Sequence, residues 1–93
     1  MAGTGSATLN FGAAPGTNTA TVDVTGQAAI VAGSYVEAWI QGNDSTAEHN
    51  AYEHAIVPMI VRITTVAAGT GFTIQGASEW RLNGTFTVRW VWS

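Results

Sequence analysis

The end of the chain alternates more regularly than any other stretch. After an Asn83-Gly84 turn signal, Phe86, Val88, Trp90 and Trp92 fall on one face of an extended strand, and Thr85, Thr87, Arg89 and Val91 on the other. The same period of two recurs upstream. Residues 7–11 set Ala7, Leu9 and Phe11 on one face, and residues 19–25 oppose Ala20, Val22 and Val24 to Thr19, Thr21, Asp23 and Thr25. Residues 34–41 alternate Val36, Ala38 and Ile40 with Tyr35, Glu37 and Trp39; bulky groups stand on both faces, so both are expected to be covered. Residues 56–66 form the longest apolar segment, and eight of the eleven are β-branched, which favours a strand over a helix. Pro58 cannot donate to a ladder, so that strand is expected to start at an edge or a bulge. Residues 28–31 predict a brief pairing. Residues 72–75 predict another strand after the Gly69-Thr70-Gly71 turn, and residues 76–83 a loop or short strand around Trp80.

Short strands separated by Gly-containing turns at this density predict an all-β chain: an antiparallel β-sandwich or jelly-roll-like fold, one domain over residues 7–93. Residues 1–6, small and Gly-containing, are expected to form a flexible arm. The one helical signal is the capping-box pattern of Ser45 and Glu48, followed by residues 49–55.

Composition sharpens this picture. At 93 residues, a domain buries only roughly 60–65% of the surface its unfolded chain exposes, so its stability margin is thin. No cysteine is present to staple it, which leaves metal, self-association or a well-packed aromatic core as supplements. The charged fraction is 10%, with six acidic residues, three arginines and no lysine. That weak negative balance argues against nucleic acid, whose binding draws on a basic face. It also suits a surface covered by neighbours. No run approaches the ~18 apolar residues of a membrane span, and the N-terminus lacks the basic start and apolar run of a signal peptide. The expectation is a protein folded in a cytoplasm, without dependence on export and without membrane insertion. Trp90 and Trp92 need a dry place, either in the chain's own core or against another subunit.

Chemistry is sparse. Ser34 follows a glycine but lacks a Gly-x-Ser-x-Gly elbow, no lysine follows Gly69-Thr70-Gly71 as a phosphate loop requires, and no two carboxylates stand out as a pair. The expectation is no enzyme and no cofactor. Asp44, Glu48, His49, Glu53 and His54 form the most chemically loaded stretch. On a helix, His49 and Glu53 lie one turn apart, a spacing that can hold a divalent ion. The alternatives are backbone capping and hydrogen bonding among these side chains or to a neighbour, and contact with a ligand through His49 and His54. Trp80, between Glu79 and Arg81 and close to Asn83, has the composition of a sugar site, with a ring to stack on a pyranose and polar neighbours for its hydroxyls. The competing reading makes Trp80 a plug at one end of the domain, with Arg81 paired to a carboxylate.

Four segments together resemble small proteins of tailed bacteriophages and prophages: Val24-Thr25-Gly26-Gln27 running into Ala32-Gly33-Ser34-Tyr35-Val36-Glu37-Ala38-Trp39; Asp44-Ser45-Thr46-Ala47-Glu48-His49-Asn50-Ala51-Tyr52-Glu53-His54; Ala68-Gly69-Thr70-Gly71-Phe72-Thr73-Ile74; and Trp90-Val91-Trp92. The resemblance implies a virion component, a head decoration, head-fibre or tail-fibre protein that contacts capsid or tail subunits. Gly71-Phe72-Thr73-Ile74, Trp80 and Val88-Arg89-Trp90 are also similar to the end of H-type lectin domains. That likeness implies a trimeric six-stranded sandwich and a host surface glycan as ligand. The expected role is a homo-oligomeric virion structural protein, a trimer synthesised in the bacterial host cytoplasm, with Trp39, Tyr52, Trp90 and Trp92 supplying interface contacts. The rival is a carbohydrate-recognition module using Trp80, Arg81, Asn83, His49 and His54.

Overall fold

Six strands and one short helix make up the chain in a computed structural model that describes residues 2–93. In chain order they are β1 (Gly3–Asn10), β2 (Thr17–Val24), β3 (Val36–Ile40), α1 (Ala51–Ile56), β4 (Ile60–Ala67), β5 (Gly71–Leu82) and β6 (Thr85–Trp92). They pair into two antiparallel three-stranded sheets, one ordered β1-β6-β3 and the other β2-β5-β4. The chain crosses from one sheet to the other between β1 and β2, again between β2 and β3, through α1 into β4, and at the Asn83-Gly84 turn. The terminal strand is therefore the centre of its sheet, paired on both sides. β5 is the centre of the other.

The inner faces share one core. The first sheet contributes Leu9, Phe86, Val88, Trp90 and Trp92, the second Ala20, Val24, Phe72 and Ile74, with Phe11 and Ile30 added from connections. Phe72 meets Trp90 edge to face across the gap, with ring centroids 5.2 Å apart, a favoured aromatic arrangement. The alternation read from residues 7–11 and 19–25 matches these inward sets, and Val36, Ala38 and Ile40 pack partly buried against them. The other face of residues 34–41, expected to be covered, is open, with Tyr35, Glu37 and Trp39 exposed. Residues 28–31 do not pair as a strand. They turn, and buried Ile30 closes one end of the core while its carbonyl accepts from Gly69 N–H in the β4–β5 turn. Residues 76–83, open between loop and strand, continue β5 to Leu82.

The N-terminal arm expected over residues 1–6 is corrected from Gly3 onward; Met1 lies outside the described residues. β1 begins at Gly3 and runs opposite β6, with Gly3 across from Trp92 and Gly5 across from Trp90. The cause is shape. A Cβ on Gly5 would come within 2.5 Å of the Trp90 ring, and one on Gly3 would strike the Trp92 indole nitrogen. The glycines leave the room in which two indoles lie across the neighbouring strand. What reads as chain looseness is the receptacle for the terminal aromatics. Both are sealed, at 6% exposure for Trp90 and 4% for Trp92. The Trp92 N–H donates to Gln27 Oε1 at 2.9 Å, whereas the buried Trp90 N–H has no acceptor among the described residues.

Gly5→Val should therefore cost roughly 1–3 kcal/mol of stability through overpacking. Chemical denaturation should detect the loss, accompanied by a red shift of native tryptophan emission. Unchanged stability would mean that the indoles do not depend on this gap.

Candidate functional site

β3 ends at Ile40, where it pairs with Val88, so the lower part of β6 lacks a strand on that side. The segment 44–54 takes the vacant place, and it does so with side chains. Thr87 N–H donates to His54 Nε2 at 2.9 Å, Thr46 Oγ1 donates to the Thr85 carbonyl at 2.7 Å, and His49 Nε2 donates to the Asn83 carbonyl at 2.6 Å. Buried backbone groups need partners, and a polar segment of this composition supplies them without a ladder. His54, 2% exposed, also donates from Nδ1 to the Asn50 carbonyl at 3.0 Å, which sets its tautomer. His49 lies flat on Phe86, with centroids 4.0 Å apart and planes 12° from parallel.

Two further contacts anchor the strap. Arg89 grips Asp44 as a fork, Nη2 to Oδ1 at 2.6 Å and Nε to Oδ2 at 3.2 Å, and Asp44 is 7% exposed. The Arg89 hydrogen bond holds the Asp44 carboxyl below its ordinary value, against the opposing effect of burial. Gly84, at φ +76°, lets the turn pass beneath Glu48 and His49, where a Cβ would come within 3.0 Å of the His49 ring.

The expected helix start is displaced. Helix α1 begins after Asn50, whose side chain accepts from Glu53 N–H while Glu53 returns a bond to Asn50 N–H. The Asn50-x-x-Glu53 pattern is as visible in the sequence as that of Ser45 and Glu48. Glu48 of the earlier pair is engaged elsewhere, accepting from Thr85 Oγ1, while Thr46 beside Ser45 serves the edge of β6. His49 Nδ1 donates to Glu53 Oε2 at 3.1 Å, so the one-turn pair forms as an ion pair. Among the described residues, no three His, Asp or Glu side chains gather closely enough to hold a metal ion.

The proposed ligand contacts thus separate. His54 is buried and fully engaged with backbone, so it is corrected from ligand contact to edge cap. His49 is mostly covered and committed on both nitrogens. Asn83 is exposed, with its carbonyl taken by His49. Trp80 and Arg81 are exposed, and Trp80 at 64% is no plug. Register explains its position. Thr17 pairs with Leu82 and Thr19 with Ala77, so Asn18 alone opposes residues 78–81. The excess chain bulges outward and carries Trp80 with it. Asn18 Nδ2 donates to the Ser78 and Glu79 carbonyls, both at 3.2 Å, and Ser78 Oγ accepts from Trp80 N–H at 3.1 Å.

The proposed interface aromatics divide as well. Trp90 and Trp92 are corrected, because both lie in the chain's own core, pulled there by the glycines of β1. Trp39 is 39% exposed and Tyr52 71% exposed. The sequence reading did not single out Ile56 and Ile60, 58% and 59% exposed, because it placed both in one long apolar strand. Around the extended residues 57–60 lie two shallow recesses. Val57 and Met59 share one with Trp39 and Ile40, while Pro58 and Ile60 share the other with Trp80. Comparison of the chain with family models, curated proteins and solved structures returns no match.

The strap carries a pH signature. For His49, burial opposes the charged ring, but the Asn83 carbonyl and the Glu53 and Glu48 carboxylates outweigh it, raising the pKa above 6.5. A raised folded value means that the stabilisation is complete below 6.5 and fades as pH climbs through the folded pKa. Glu53 is shifted the other way, below 4.5, by the Asn50 backbone bond first and then by His49. Its contribution is present above 4.5 and lost as pH falls through the folded value. Thermal unfolding should reach its highest Tm between pH 4.5 and 6.5. The His49→Gln variant should flatten the decline on the alkaline side. A wild-type Tm that rises from pH 6 to pH 8 would contradict this assignment.

Proposed function

We propose that this chain is a non-enzymatic structural protein of a bacteriophage particle, a decoration or fibre component that works by homo-oligomeric assembly of a β-sandwich formed from its two sheets. The observation that carries this reading is the placement of large apolar side chains. The core is already closed by Trp90 and Trp92, yet Trp39, Ile56, Ile60 and Trp80 stand outside it around residues 57–60. Soluble monomers seldom expose such groups together, and aromatic anchors dominate the energy of protein interfaces. The low charge supports the same reading, as do the Thr-rich outer faces of β2 and β6. The phage resemblance of the segments quoted above supplies the setting, with capsid or tail subunits as partners.

Two measurements test it together. In sedimentation velocity at micromolar concentration the protein should run as an oligomer, weakened by Ile60→Lys. In a density gradient of a phage-producing lysate it should band with particles. A monomer that stays in the soluble fraction would overturn the reading.

A second reading is favoured by Trp80, an exposed ring carried on a bulge whose backbone is braced by Asn18, between Glu79 and Arg81. An exposed indole with polar neighbours is suited to stacking on a sugar, and the six strands in two sheets agree with the count that the H-type lectin resemblance implies. In this reading the chain is the carbohydrate-recognition module of a phage fibre. A glycan array should then yield hits that vanish in Trp80→Ala, with the circular dichroism spectrum unchanged. An array with no hits would remove the reading.

A further inference from the structure

Two sheets of three strands have four edges, and this molecule treats them unequally. Natural sheets blunt their edges with charges, prolines, bulges or shortness, because unpaired backbone invites another strand. β2 carries Asp23 and has its pairing interrupted at Asn18, opposite the β5 bulge, and β3 has only five residues, one of them Glu37. β4 follows Pro58, bears Arg62 and shifts register between Ile63 and Thr65. Where β6 would be open below β3, the strap of residues 44–54 closes it. β1 has none of these devices. Its eight residues, Gly-Thr-Gly-Ser-Ala-Thr-Leu-Asn, run in unbroken register with β6, and no charged residue precedes Asp23 in the chain.

The ladder shows which groups are free. Phe11 N–H donates to the Gly84 carbonyl at 2.9 Å, which continues the β1–β6 register by one step. Backbone groups alternate along a strand, so Leu9, Ala7, Gly5 and Gly3 bond to β6 as Phe11 does. Thr4, Ser6 and Thr8 then direct their N–H and C=O groups away from the sheet, and all three are exposed. None of these backbone groups has a partner among the described residues.

We infer that β1 is a docking edge for a second copy of this chain, pairing antiparallel with its own counterpart about a two-fold axis at Ser6. Self-complementarity favours this occupant. With Ser6 opposite Ser6 of the partner subunit, Thr4 faces Thr8 of the partner subunit and the reverse, and each such pair exchanges both backbone bonds. On the outer face the Ser6 hydroxyls meet each other and Thr8 meets Thr4, whose Oγ1 donates to the Trp90 carbonyl at 3.1 Å and keeps its lone pairs to accept; such cross-strand pairs stabilise sheets. No charge lies on either strand to oppose the approach. The result is a continuous sheet ordered β3-β6-β1 and then the same strands in reverse. The blunted edges stop it there instead of letting it grow as a fibre.

Because this rests on the reading of the chain as self-assembling, the test keeps the two apart. Sedimentation velocity of the full chain is compared with Ser6→Lys, which sets two cations at the axis. It is also compared with Ser6→Pro, which removes an N–H that β6 does not use. The wild type should contain an even-numbered oligomer. Both variants should weaken its pairing by about tenfold or more, with an unchanged far-UV spectrum. Hydrogen exchange supplies the location: the amides of Thr4, Ser6 and Thr8 should be slow in the wild-type assembly and fast in Ser6→Lys. An oligomer that survives both Ser6 variants but dissolves in Ile60→Lys overturns the edge pairing and spares assembly. A wild-type monomer overturns both.

Discussion

The fit of two indoles over two glycines organises this molecule. β6 lies at the centre of its sheet, and its inward residues Trp90 and Trp92 are too wide for an ordinary cross-strand neighbour. Gly5 and Gly3 provide the missing width on β1. That arrangement recruits the first residues of the chain into the sheet and joins the N-terminal and C-terminal strands. It also lets Trp90 reach Phe72 of the opposing layer. The Trp90 N–H has no acceptor among the described residues, a cost of about 1–3 kcal/mol for a buried donor. Burial of so large an aromatic surface offsets it.

Once the tryptophans are inside, the remaining polar chemistry reads as structural. The cluster around His49 and His54 resembles a site in sequence because it gathers imidazoles and carboxylates on a short segment. In three dimensions each group answers a backbone group of β6, a neighbouring side chain or the start of α1. The strap thus substitutes side chains for the strand that β3 is too short to supply. Its ion pairs, Asp44 with Arg89 and His49 with Glu53, fasten it at separate points. This is edge protection by side-chain hydrogen bonding, and it explains why so many charged residues of a sparsely charged protein fall in one place.

Several large apolar and aromatic side chains stay exposed outside the closed core, among them Trp39, Ile56, Ile60 and Trp80. Trp80 and Ile60 line one recess and Trp39 another, and residues 57–60 contribute alternately to the two. The bulge that lifts Trp80 is held by Asn18, a residue with no conspicuous chemistry of its own. Trp39 and Trp80 stand in different recesses.

Local alternation determined the strands, because side chains on a pleated backbone must point to opposite faces in turn. β6 and its inward set, the inward faces of β1 and β2, and the antiparallel all-β class were therefore legible from residues alone. The fate of Trp90 and Trp92 was not, since it depended on Gly3 and Gly5 lying opposite them, some eighty-five residues away in the chain. Nor was the role of the histidines, because a polar side chain takes its meaning from the backbone group it faces. Trp80 illustrates the same division: its neighbours suggested a site, but only the mismatch in register between β2 and β5 decided that the ring is outside. Period and composition act locally, whereas pairing partners are chosen by the whole fold.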